Sequence, residues 1–156
     1  MTPEQRAALR AELTEDPEKF GYVQFIPDGP GHLVDLLNAQ TETMVKSRFV
    51  SARTVLAEMP LTDAATFLET LEVVAEVNPV VKWGMRFLTS DLGIDIGHPN
   101  TQMLLDGLAT GGAMTQTLAD QAKALAMQPA SRAEVLLGAG TQVDESDVRA
   151  VLKEIG

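Results

Sequence analysis

Apolar residues along this chain recur at three- and four-residue intervals, and period-two alternation is nearly absent. Residues 62–77 show this most clearly. Phe67, Leu68, Leu71, Val74 and Ala75 fall on one side of a 3.6-residue wheel, and Glu69, Glu72 and Glu76 fall on the other. Asn78-Pro79 breaks that helix, and Pro79 suits the first turn of another over 80–89. The second helix is apolar nearly all round, with Val80, Val81, Trp83, Met85, Phe87 and Leu88. Its only charges, Lys82 and Arg86, are four apart and share a stripe. Such a helix is expected at the centre of a domain or at a subunit contact, with core packing the favoured role for Trp83, Met85 and Phe87.

Polar residues mark the helix ends. Thr2, with Pro3 in the first turn and Gln5 three residues on, forms a capping box for a helix to about Thr14, which Asp16-Pro17 stops. Ser131 with Glu134 is a second box, opening a short helix through Leu137, and Gly138 reads as a left-handed cap. Asp144 caps the last helix, with Val143 and Val148 as a hydrophobic staple and Val148, Val151, Leu152 and Ile155 as its inner face. The tail is therefore expected to return a helix to the core.

Four more helices lie between. One covers 32–39, with Leu33, Leu36 and Leu37 on one face, and one runs from Val50 to Met59 before Pro60. A third starts at His98-Pro99 and runs to Ala109, burying Leu104, Leu108 and Met103. A fourth covers 115–127, with Leu118, Ala122 and Leu125 inward. Phe20 to Ile26 is expected to be an extended segment that plugs the core, because a lone strand has no partner. Residues 41–48 are ambiguous, and 91–97 read as a loop. The expected fold is all-α: a compact bundle of six to seven mostly short helices in one domain, with an N-terminal arm over 1–60 and a helical core over 61–156.

Composition narrows the function classes. With 156 residues and 45% apolar content, the chain is near the commonest domain size and needs no staples for its core. It has no cysteine, which removes disulfides, thiolate metal sites and a cysteine nucleophile. No apolar run approaches the ~20 residues of a membrane span, and the polar start carries no basic region ahead of an apolar stretch, so a soluble protein without a membrane partner is expected. Net charge is −10, which makes nucleic acid a poor partner for the chain as a whole. Only the stretch with Lys46, Arg48 and Arg53 is locally basic.

Reactive constellations are weak. Glu69, Glu72 and Glu76 share a helix face, but neither His32 nor His98 completes the Glu-x-x-His spacing of a di-iron site, so a solvated acidic face is the better reading. Asp91 and Asp95 flank Gly93, yet leucine and isoleucine occupy the positions where a calcium loop needs oxygen. His98 stands at a helix start, where capping explains it. Gly138-Ala139-Gly140 lacks the strand and the Lys-Ser/Thr pair of a phosphate loop. No catalytic, cofactor or metal residue is assigned. Seven residues are candidate partner contacts: Tyr22, Phe25, Lys46, Arg48, Arg53, Trp83 and Met85.

Segments spread over most of the chain carry a resemblance. "LETLEVVAEVNPVVKWGMRFLTSDLGIDIGHPNTQMLLDGLA" and "QPASRAEVLLGAGTQVDESDVRAVL", with Gly97-His98-Pro99 before a helix and Ser131-Arg132-Ala133-Glu134 ahead of Gly138 and Gly140-Thr141, resemble small helical proteins of tailed-bacteriophage and prophage structural gene clusters. The resemblance implies a non-enzymatic virion or assembly protein of the head–tail neck or tail. It implies other phage structural proteins as partners, a homo-oligomer in a particle, and location in the virion and, during assembly, the host cytoplasm. It carries over no catalytic residues. Two alternatives remain open: an acidic inhibitor of a host protein, and a capsid cement or decoration protein.

Overall fold

The computed structural model describes residues 1–155. The fold is mostly helical. The described residues form nine α-helices and four short strands, where the sequence pattern predicts six or seven helices and no strand. All nine coincide with segments whose pattern reads as helical, so the expected total of six to seven undercounts them, and four are helices of only six to nine residues. Alone these are too short to be stable, but buried faces hold them as separate elements.

The chain gathers into two compact units, Met1–Met44 with Pro129–Gly156, and Val45–Gln128. In the first unit α1 (Pro3–Glu15), a 3₁₀ turn (Tyr22–Phe25), α2 (Pro30–Asn38), α8 (Arg132–Leu137) and α9 (Glu145–Ile155) enclose Leu9, Leu13, Tyr22, Leu33, Leu37, Val148 and Val151. The expected extended plug is thus a 3₁₀ turn, with Tyr22 as its buried residue. The tail helix α9 packs on α1 and α2, as its inner face predicts. Both capping boxes are formed, at Thr2/Gln5 and Ser131/Glu134. The Asp144 carboxylate accepts from the Asp147 amide at 2.9 Å. Gly138, however, is not left-handed helical: at φ 111° and ψ 151° it occupies a region essentially reserved for glycine.

The second unit holds α3 (Ala52–Glu58), α4 (Leu61–Ala75), α5 (Pro79–Leu88), α6 (Pro99–Thr110) and α7 (Gln116–Ala124). Their core contains Val55, Phe67, Leu71, Val81, Leu88, Ile96, Leu105, Leu118 and Ala122. The α4 face is as predicted, with Phe67 and Leu71 buried and all three glutamates exposed. In α6 the phase differs: Leu105 and Leu108 are buried, Leu104 is half-buried, and Met103 is 70% exposed. β1 falls in the ambiguous segment 41–48 and β3 in the expected loop 91–97, whereas Val50 and Met127, expected at helix ends, belong to strands. β2 (Phe49–Val50) pairs antiparallel with β3 (Ile94–Asp95), and β1 (Glu42–Val45) pairs with β4 (Met127–Ala130).

Candidate functional site

Ionisable groups that are buried or heavily hydrogen-bonded are the first place to look for chemistry. In the first unit the Arg132 guanidinium donates twice to the Glu12 carboxylate, Nε to Oε1 at 2.9 Å and Nη2 to Oε2 at 2.8 Å. The Tyr22 hydroxyl donates to the same Oε1 at 3.1 Å. Glu42 lies 3.5 Å from Arg132 Nη1 and Glu18 lies 3.9 Å away. Burial, with the Glu12 charge beside it, pushes the Tyr22 hydroxyl well above the usual phenol value. Hydrogen bonding to Glu12 raises Arg132. A tyrosine held protonated and an arginine locked to a carboxylate are anchors rather than proton-transfer groups.

In the second unit Asp95 is the most connected carboxylate. It accepts from Ser47 Oγ at 2.6 Å, the Arg48 amide at 2.9 Å and the Gly97 amide at 3.0 Å. Burial alone would raise Asp95, but these three bonds outweigh it and hold the carboxyl below its ordinary value. Its neighbour Gly97 has no room for a side chain, since a Cβ there would lie 1.9 Å from the Lys46 carbonyl oxygen. His98 Nδ1 accepts from the Asn100 amide at 3.1 Å and so caps α6. Asp95 and His98 therefore serve the backbone.

The seven candidate contacts are divided between the units, Tyr22 and Phe25 in the first and the other five in the second. Tyr22 and Met85 are enclosed and present nothing to a partner. Phe25 is half-buried and stacks on His32, ring centres 5.2 Å apart and 6° from parallel. The locally basic stretch is not an open cationic patch. Arg48 is committed to both oxygens of Glu58 and, at 2.8 Å, to the Leu125 carbonyl. Lys46 is half-buried, and its amide donates to the Ala126 carbonyl. Arg53 is exposed on α3.

Trp83 stands apart. On α5 only Val81, Met85 and Leu88 reach the core. Core packing, expected for Trp83 and Phe87, does not occur: Val80 is 63%, Trp83 58% and Phe87 48% exposed. These three sit at i, i+3 and i+7, one stripe of the helix. The Arg86 guanidinium lies 4.3 Å from the centre of the Trp83 ring, a cation–π contact at the surface. The sequence signal for this second face was the apolar character of α5 on every side.

Among the described residues no group of three or more His, Asp or Glu side chains is arranged to hold a metal ion. No helix is long and apolar enough to cross a membrane. No protein-family model, curated protein or solved structure matches the chain.

Proposed function

We infer that this chain works by binding, as a non-enzymatic bacteriophage virion or assembly protein of the head–tail neck or tail. The observation that carries the reading is the outward apolar stripe of α5, Val80, Trp83 and Phe87. Isolated exposed apolar residues are ordinary, but three large ones aligned on one helix mark a contact face. The stripe is displayed by a helix whose opposite face is anchored by Val81, Met85 and Leu88, so it is presented rigidly. The connected polar groups support the same reading, because Asp95, His98, Arg132 and Glu12 are each engaged in holding backbone or side chains in place. The phage setting rests on the resemblance described above.

The test is quantitative mass spectrometry of purified particles from a strain that encodes the chain. About a dozen copies per particle is expected for a ring at the neck or tail tip. Hundreds would instead indicate a capsid or tail-tube coat. Absence from both particles and assembly intermediates would overturn the reading.

A further inference from the structure

The second unit also holds a cleft that the α5 contact face leaves unused. α4, α7 and the turn ahead of α7 border a space of about 490 Å³, the size of a small-molecule site. Its floor is apolar, formed by the buried Met114 and Leu118. Its walls are polar. Asp63 and Thr70 lie two turns apart on one face of α4, and Thr117 and Gln121 lie one turn apart on α7.

What these walls lack is a donor. The Asp63 carboxylate is the only charge lining the cleft, and among the described residues it forms no ion pair. Its Oδ2 accepts from Gln121 Nε2 at 2.9 Å, and its Oδ1 accepts from no described group. That bond fixes the amide, since turning it over would set two acceptor oxygens against each other. Gln121 Oε1 is then left buried with no donor. A buried acceptor without a partner is unfavourable, and native structures keep few. The Thr70 and Thr117 hydroxyls make no hydrogen bond to the described residues and can donate or accept.

The deficit defines the ligand. A carboxylate with no cation beside it repels phosphates and carboxylates. Among the described residues no three acidic or histidine side chains are grouped for a metal ion. No aromatic ring lines the cleft, so the cage that holds a quaternary ammonium is absent. A primary ammonium meets every term: one positive charge, three N–H donors, and an aliphatic stem to lie on Met114 and Leu118. We propose that the cleft binds a primary alkylammonium, its charge on Asp63 and its other donors on the Gln121 carbonyl and a threonine hydroxyl. The ammonium replaces Gln121 Nε2 at Asp63, and the freed amide turns its carbonyl into the cleft. It belongs either to a free amine or to the lysine side chain of a partner protein. The proposal does not depend on the α5 contact face.

Titration of the full chain with putrescine, followed by amide NMR shifts, is expected to saturate, with the largest changes at Asp63, Thr70, Thr117 and Gln121. A ligand of about six heavy atoms that forms one partly exposed ion pair binds with a dissociation constant on the order of 1 mM. Added salt weakens it. Butanol, which has the same stem without the charge, does not saturate. Asp63→Asn keeps the side-chain shape and weakens binding by about tenfold or more. The double variant Thr70→Val/Thr117→Val removes both hydroxyls at nearly constant shape and weakens it by about fivefold. Glu72→Gln, outside the cleft, leaves it unchanged. A lysine blocked at both backbone ends separates the two sources. Binding of the blocked lysine alone assigns the ammonium to a partner protein, and binding of putrescine alone assigns it to a free amine. Saturation by neither up to about 50 mM overturns the proposal. So does butanol that binds like putrescine, or a folded Asp63→Asn or double-valine protein that binds like the parent.

Discussion

Arg132→Met should be among the most damaging single changes in the first unit, and clearly worse than Glu12→Gln. The Arg132 side chain is 10% exposed and that of Glu12 2%. Three carboxylates, of Glu12, Glu18 and Glu42, face one guanidinium. Glu42 Oε1 is buried and makes no hydrogen bond, so the arginine charge is what it relies on. Removing the arginine strands the carboxylate of Glu12 and that of Glu42, and breaking a buried pair in this way costs about 3–5 kcal/mol. Glu12→Gln keeps the side-chain shape and an acceptor for Tyr22, and it leaves Arg132 close to Glu42 and Glu18. Its cost is about 1–3 kcal/mol, that of weakening charged hydrogen bonds. A domain of this kind has about 5–15 kcal/mol in all, so the arginine variant sits near the unfolding threshold. Urea denaturation followed by circular dichroism measures both. Tyr22 and Trp83, the only tyrosine and tryptophan, provide a separate signal from each unit. An Arg132→Met cost below about 1 kcal/mol, or below that of Glu12→Gln, would refute this account of the cluster.

Two further predictions concern the second unit. Gly97→Ala drives a Cβ into the Lys46 carbonyl and should cost about 3 kcal/mol or more, while Gly107→Ala, where a Cβ meets nothing on α6, should stabilise by about 0.5–1 kcal/mol; thermal denaturation of the pair checks both. Asp95 has a folded value below its ordinary 3.8, so its contribution is complete above that value and is lost as pH falls through the folded one. Asp95→Asn should therefore destabilise at neutral pH and converge with the parent in acid, and a constant difference across pH would contradict the assignment.

Much of this molecule could be read from its residues because much of it is local. A capping box needs one hydroxyl and one carboxylate or amide three residues apart, and Thr2/Gln5 and Ser131/Glu134 form as written. The staple at Val143 and Val148 and the inner faces of α4, α7 and α9 are likewise set within a turn or two, since a single apolar stripe leaves one way to face the core. Where apolar residues surround a helix, that logic gives no direction. In α6, Met103, Leu104, Leu105 and Leu108 offer several stripes, and packing selects Leu105 and Leu108. In α5 the same ambiguity hid the outward face of Trp83 and Phe87. The Glu12–Arg132 pair spans 120 residues, and the Gly97–Lys46 approach joins segments with no shared period. Local hydrogen bonding and periodicity act over a few residues and are written in the chain, whereas which face turns outward, and which distant charges meet, is decided only when the helices compete for the same interior.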